Sequence, residues 1–537
     1  MLTLLGFGAG DLAADELFAA WRTFFSRLAT TGPVVLVFED LHWADPGLLD
    51  FIDHLLEWSR DQPIYVLTLA RPELLERRPE WGAGRRNFLS LGLEPLAEAS
   101  MRELLAGLVP GLPKPTVDAI VARADGIPLY AVETVRMLVA DGKLREESGA
   151  YALVGDLAAL AVPETLTALI GARLDALEPA DRALLQDAAV LGQSFTLAGL
   201  AAVSGRSGAE IEPRLAALGK REILSIRSDP RSPERGQFAF VQALIREVAY
   251  NTLTKRDRRE RHLAAARFFE GLGSDELAGA LAGHYLAAHA NSPAGPEADG
   301  LAIQARIALT AAAERATALG SPTQALQFLD QALSIEVDPA RQPELLERAA
   351  GEAMAAGLYT RSKELAARGM AAYVAAGDHL GEARMLVIES RALVSNLQTS
   401  ESQALLLERL PDFDDLFGRR EHVDLVLRLA NTYWLDDDLE SAVTWAARAL
   451  AEAERFDIVP SIVDGLIVKG GALGYLGRGY EGISTLRGAY ALAEAHGNQV
   501  GMLRAQANLS DAQIARDPRA ALATARAGLD GVRRIGR

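Results

Sequence analysis

Val34-Val35-Leu36-Val37-Phe38-Glu39-Asp40-Leu41-His42-Trp43-Ala44-Asp45-Pro46 runs from five apolar residues, bounded upstream by Thr31-Gly32-Pro33, straight into two acids. The apolar run predicts a strand buried on both faces, as in a parallel sheet covered by helices. Its two carboxylates then stand at the carboxyl rim of the sheet, where open α/β folds bind ligands. There one acid can hold Mg²⁺ through water while the next orients an attacking water. The same pattern also fits any strand that ends in acids before a loop.

Asp45-Pro46-Gly47-Leu48 reads as a helix start, with Asp45 as N-cap and Pro46 at the first helical position. The helix buries Leu48, Leu49, Ile52, Leu55 and Leu56 on one face. A second buried strand, Ile64–Ala70, ends in Arg71-Pro72-Glu73. Two strands joined by a helix deliver Glu39, Asp40 and Arg71 to one edge of a sheet. A cation there is suited to sense a terminal phosphate, or simply to form a salt bridge with a nearby acid.

Val-Leu-Val-Phe-Glu-Asp-Leu-His-Trp-Ala-Asp-Pro, followed by Thr-Leu-Ala-Arg-Pro-Glu, resembles the signal-transduction ATPases with numerous domains (STAND, an AAA-type class). The resemblance is closer to the ATPase-plus-repeat regions attached to class III adenylate/guanylate cyclases and related bacterial regulators, and it extends over essentially the whole chain. It implies ATP and Mg²⁺ as cofactors and a cyclase-type output domain as a partner. Glu39, with Asp40 beside it, would fall at the metal position, Asp40 at the catalytic acid and Arg71 at the sensor. Gly126-Ile127-Pro128 resembles the G-x-P turn of the STAND helical lid, which would place Gly126 and Pro128 near the nucleotide; the plain alternative is a helix stop and restart.

No G-x-x-x-x-G-K-S/T occurs, and none of the six lysines (Lys114, Lys143, Lys220, Lys255, Lys363, Lys469) is followed by Ser or Thr. Gly6-Phe7-Gly8-Ala9-Gly10 is glycine-rich but lacks the lysine, so the loop that wraps phosphates in backbone N–H groups is missing. In the family that loop lies upstream of the acidic strand. The expectation is therefore an amino-terminally shortened member, although an alternative start, a fragmented gene or a true pseudo-ATPase reads the same. ATP binding by this chain itself is not expected. A shortened sheet would also lack its middle strand, leaving an edge open to mispairing.

Alanine-rich, aromatic-poor composition (6% aromatic) favours close-packed helices. A net charge of −17 argues against a general nucleic-acid or anionic-membrane surface. The chain has no cysteine, which removes disulfides and thiolate chemistry together. With no basic leader and no apolar stretch of transmembrane length, the sequence reads as a soluble, cytoplasmic protein.

The fold class expected is mostly α: an incomplete α/β P-loop core, a helical lid, a winged helix, then an α-solenoid of helical hairpins. Residues 1–95 hold the partial nucleotide core, with an amphipathic helix over 11–30 and a third strand near Phe88–Leu93. Residues 96–160 form the lid, helical to about Arg145. Residues 161–273 form the winged helix, with strands Ile223–Arg227 and Gln237–Phe240 joined by the loop Asp229–Gly236. Its recognition-helix candidate carries Glu210, Glu212 and Arg214, an acidic set for a DNA reader. The run Lys255, Arg256, Arg258, Arg259, Arg261 fits a solvated helix face better than a phosphate clamp. A linker spans 274–300.

Residues 301–537 read as tetratricopeptide-like repeats about 40 residues long, breaking at Gly320, Gly357, Asn396–Ser400, Asp437, Gly477 and Asp517. Such an array buries its faces only against its neighbours and presents a surface for a protein or peptide ligand. The end at Arg537 without a polar capping helix suggests shortening there too. The eight histidines give no H-E-x-x-H pair, and there is no G-x-S-x-G elbow and no cyclase catalytic region. The expected function is a regulatory signal-transduction module, with a non-catalytic binding scaffold and a winged-helix transcription regulator as alternatives.

Overall fold

The computed structural model describes residues 14–85, 87–147, 150–154, 165–226, 236–336 and 338–534. Gly6–Gly10 and most of the loop Asp229–Gly236 lie outside these residues. The chain divides into two compact units, Met1–Pro79 with Arg306–Arg537, and Glu80–Ala305.

The first unit opens with α1 (Ala14–Ala29), β1 (Val34–Phe38), a 3₁₀ turn (Leu41–Trp43), α2 (Pro46–Trp58), β2 (Ile64–Thr68) and α3 (Glu73–Arg77). β1 and β2 pair in parallel from Val34↔Ile64 to Phe38↔Thr68. Asp45 caps α2 by accepting the Leu48 N–H at 2.8 Å, with Pro46 in the first turn. α1 meets α2 through Phe18 and Phe51, ring centres 5.6 Å apart, above buried Leu49, Ile52 and Leu55.

The expectation that β1 is buried on both faces is corrected. Val35, Val37, Tyr65 and Leu67 are 61, 53, 63 and 40% exposed, so one face is open among the described residues. α1 contacts both strands, and a continuous apolar run does not itself supply a second layer. The third strand expected near Phe88–Leu93 is corrected as well. The stretch joins no ladder, and Leu89, Leu91 and Leu93 are 88, 77 and 88% exposed. Alternation without a neighbouring strand leaves backbone groups to water.

The second unit holds α4 (Glu98–Leu108), α5 (Lys114–Ala124), α6 (Pro128–Ala140) and the antiparallel hairpin β3 (Leu144–Glu147) and β4 (Ala150–Leu153). That hairpin was not anticipated from the helical periodicity. Met101, Leu105, Ile120, Tyr130 and Leu138 form the core of this part. Next come α7 (Leu166–Asp175), α8 (Pro179–Leu191), β5 (Ser194–Phe195), α9 (Leu197–Ser204), α10 (Gly208–Lys220), β6 (Leu224–Ile226), β7 (Phe238–Phe240) and α11 (Ala243–Asn251). Their sheet has the order β5-β7-β6, antiparallel throughout. Leu184, Leu185, Phe195, Ile211 and Phe240 pack on its inner side.

α12 (Lys255–Leu272), α13 (Ala278–Ala290) and α14 (Pro296–Ala318) follow. The linker expected over 274–300 is therefore mostly helical. α13 packs on α12, and Ala282, Tyr285 and Ala288 are buried. Small and apolar residues on one helix face give that segment a packing surface, which linkers lack.

The rest of the first unit is a run of antiparallel helices. α15 (Pro322–Ile335), α16 (Gln342–Ala355), α17 (Tyr359–Ala376), α18 (His379–Ser395) and α19 (Thr399–Arg409) lead to a 3₁₀ turn at Leu410–Leu416. α20 (Arg420–Leu435), α21 (Leu439–Arg455), α22 (Val459–Tyr475), α23 (Gly479–Ala495), α24 (Gln499–Ile514) and α25 (Pro518–Arg534) complete it. Successive hairpins begin about 40 residues apart, at His379, Arg420, Val459 and Gln499. The chain therefore carries tetratricopeptide-like helical repeats. Gly320, Gly357, Asp437 and Gly477 turn the hairpins with φ of 59, 74, 63 and 79°. At Gly482 a Cβ would come within 2.7 Å of the Gly470 carbonyl, which lets α22 and α23 cross backbone to backbone. No described helix is long and apolar enough to cross a membrane.

Candidate functional site

Parallel pairing of β1 and β2 brings Glu39, Asp40 and Arg71 to one end of the two strands. The ladder continues one step past them, with Leu69 N–H donating to Phe38 O at 2.8 Å and Leu41 N–H to Leu69 O at 2.9 Å. Asp40 takes left-handed angles (φ 54, ψ 36) and turns the chain into the 3₁₀ segment. His42, buried there, accepts the Arg71 N–H at Nδ1 over 3.4 Å. Arg77 Nη1 donates to the His42 carbonyl at 2.5 Å, so α3 is tied to the same turn. His42 Nε2 is buried and has no partner among the described residues.

Glu39, Asp40 and Arg71 themselves are exposed. Their side chains enter no hydrogen bond or ion pair with a described residue. The salt bridge weighed for Arg71 is not made with any described acid. Described residues include no group of three His, Asp or Glu side chains placed to hold a metal ion. Mg²⁺ in a nucleotide site needs phosphates, a hydroxyl and carboxylates converging on it. Two exposed acids, in a sequence without a phosphate loop, do not fit Mg-ATP.

Gly126 and Pro128 belong to the second unit. Gly126 has φ +73, and a Cβ there would lie 2.6 Å from Pro95 Cβ and 2.8 Å from the Leu96 carbonyl. Its own carbonyl accepts the Leu96 N–H at 2.8 Å. Pro128 opens α6 in its first turn. The turn thus joins α5, α6 and the segment entering α4. One helical step along α6, buried Glu133 receives Arg173 of α7 at 2.6 Å and Arg136 at 2.8 Å. Gln242, just before α11, reaches the same carboxylate at 3.2 Å.

On α10, Arg214 is held by Asp181 at 2.6 Å and Glu210 closes a capping box with Ser207. The basic run on α12 is likewise committed. Arg256 meets Glu260 at 2.9 Å, Arg259 meets Glu297 at 3.1 Å and Arg261 meets Asp187 at 2.6 Å. Arg258 lies over the Tyr250 ring at 4.5 Å. Arg258, Arg259 and Arg261 thereby brace neighbouring helices, while Arg256 is paired within α12.

The repeats carry a charged stripe that the sequence reading did not single out. First helices of successive hairpins (α16, α18, α20, α22, α24) touch one another in series. The second helices sit between them without comparable mutual contact, so the array curves with the first helices inside. On this row Arg384, Asp424, Asp464 and Arg504 recur in register. Arg384 grips Glu347 of α16 through Nε at 2.7 Å and Nη2 at 3.0 Å. Asp424 accepts from Ser461 at 2.9 Å, and Arg504 meets Asp464 at 2.5 Å. Charged residues recurring at the repeat length were the available signal.

No known family model matches the chain. An uncharacterized protein of Rhizobium meliloti is 27% identical over 325 residues, which span 57% of this chain and 28% of that protein. The chain thus covers less than a third of that relative's length. Among solved structures, a STAND protein with a tetratricopeptide repeat sensor from Pyrococcus horikoshii is 14% identical, covering 99% of this chain and 80% of its own, with a TM-score of 0.35. A Rap protein complexed with competence and sporulation factor is 14% identical over 52% of this chain and 77% of its own, TM-score 0.36. Aspartyl phosphate phosphatase F of Bacillus subtilis is 10% identical over 83% and 96%, TM-score 0.37. The similarity is too low to transfer any residue's role.

Proposed function

We propose that the chain is a regulatory signal-transduction module whose helical repeats receive a protein or peptide partner. The observation that carries this reading is the inner row of first helices, where charged side chains recur across α18, α20, α22 and α24 on a surface left open to solvent. A scaffold needing only rigidity gains nothing from such a stripe, because half-buried charges cost desolvation that apolar packing avoids.

In this reading the strand-end set Glu39, Asp40 and Arg71 belongs to a STAND-type nucleotide domain. In relatives with a phosphate loop, the acids would serve Mg²⁺ and the attacking water, and Arg71 the terminal phosphate. This chain's own residues do not make that site, and a cyclase-type output domain stays a feature of the family it resembles. The body from α8 to β7 has the element order of a winged helix and serves as a relay between helices. DNA reading is disfavoured by the commitment of Arg214 to Asp181.

Photo-crosslinking tests the partner role. A benzophenone amino acid placed at Val387 or Ile388, on the inner row, should yield discrete adducts in the source cells; the same probe at Thr444 on α21 should not. Equal adducts from both rows, or none from the inner row, would remove the reading. Titration with Mg-ATP is expected to show no saturable binding, and micromolar affinity would place a working nucleotide site in this chain.

A further inference from the structure

We infer that the inner face of α18, α20, α22 and α24 takes an acidic peptide segment, with Arg391 and Arg428 receiving a carboxylate and an adjoining cavity seating a neighbouring apolar side chain. The inference deepens the partner-binding reading above and rests on it.

The charges on this face are unevenly committed. Asp424 is taken by Ser461 at 2.9 Å and by Arg420 at 3.4 Å, and Asp464 by Arg504 at 2.5 Å. Arg391 and Arg428 are not taken. Neither makes a hydrogen bond or ion pair with any described residue, although Arg428 is half-buried on α20. Burial, then repulsion from Arg391 and Arg504, lowers Arg428 to about 10 against a weaker pull from Asp464 and Asp424. It therefore stays charged at neutral pH with like charges as neighbours. Two uncommitted guanidinia on adjacent helices are unfavourable until an anion arrives. Their planar N–H forks match a carboxylate in both charge and geometry.

A cavity of about 490 Å³ lies on the same face, lined by Val459, Val463 and Val500 with Arg420, Asp464 and Arg504 at its rim. Arg420 of its rim stands two turns before Arg428 on α20, and Asp464 and Arg504 stand on α22 and α24, which continue the same row of touching helices. Its apolar wall suits a short aliphatic side chain. Asp424 and Asp464 are each already paired with an arginine, which leaves them poorly placed to receive a basic ligand. An extended chain with a carboxylate next to an aliphatic residue meets both features.

The test uses the full chain and fluorescein-labelled peptides of alternating Leu and Glu, with Leu/Gln and Leu/Lys counterparts, read by anisotropy. The Leu/Glu peptide should bind about tenfold or more tighter than Leu/Gln, and its affinity should fall with added salt. Arg428→Gln and Arg391→Gln should each remove about tenfold from Leu/Glu binding while leaving Leu/Gln unchanged. Arg428→Lys should retain part of it, which separates lost charge from lost fold. Equal affinity for all three peptides, an Arg428→Gln variant that binds Leu/Glu normally, or no Leu/Glu binding would each overturn the inference. Binding of Leu/Gln or Leu/Lys that ignores both arginines would overturn it yet leave the partner-binding reading standing.

Discussion

The Glu133 carboxylate lies 2.6 Å from the Arg173 guanidinium, with Glu133 fully buried and Arg173 nearly so. This contact fastens the helix that begins at Gly126-Ile127-Pro128 to the first helix of the next body. Breaking a buried pair from one side costs about 3–5 kcal/mol, because the remaining charge loses its counterion. Glu133→Ala should fall at the lower end, near 3 kcal/mol, since Arg136 keeps some solvent contact. Urea denaturation followed by circular dichroism would measure it, and hydrogen exchange over 128–175 would locate it. An effect below about 1 kcal/mol would make the contact ornamental, within the range of a surface pair.

Gly126→Ala strains a left-handed residue and drives a methyl group against Pro95 and the Leu96 carbonyl. Residues forced into that region cost about 1–3 kcal/mol before any clash is counted. Faster amide exchange in α4, α5 and α6 is the expected outcome, with the repeats unaffected.

His262 and His284 face each other across α12 and α13, Nδ1 to Nδ1 at 2.9 Å, with Tyr250 Oη 3.0 Å from His262 Nε2. Burial pushes both well below the ordinary histidine value; repulsion from His284, Arg246 and Arg258 adds to it at His262, and from Arg246 at His284. In the folded chain they are neutral, whereas the unfolded chain takes up protons below about pH 6.5. Their contribution to stability is complete above that pH and is lost as the pH falls toward their depressed values. The melting temperature should therefore drop between pH 7 and pH 5. His284→Gln should flatten that slope, and an unchanged slope would show that other groups carry the acid sensitivity.

Gly482→Ala puts a methyl group 2.7 Å from the Gly470 carbonyl and 2.9 Å from the Gly474 nitrogen. Neither contact can be relieved by a rotamer change, so the helices must separate. Overpacking of this kind costs about 1–3 kcal/mol, and thermal melting of the chain should register it.

Arg428→Gln should melt no lower than the parent chain, because it removes a half-buried charge that has no partner among the described residues. A marked loss of stability would mean that Arg428 is structural, contrary to its role as a waiting receptor.

Sequence alone determined the local features. Asp45-Pro46 opens α2 because a capping carboxylate and a proline suit the first turn wherever they occur. The hairpin breaks at Gly320, Gly357, Asp437 and Gly477 were legible because a reversal needs φ above zero or a cap. The roughly 40-residue period followed from them. Tertiary structure decided which faces found partners. Val35 and Leu67 are as apolar as any core residue, yet no described element covers them. Leu89, Leu91 and Leu93 alternate like a strand but have no described strand beside them. Likewise Arg261 is committed to Asp187, 74 positions away, while Arg428 is committed to no described residue. Burial and ion pairing depend on what the folded chain brings alongside, a distance that no local pattern encodes.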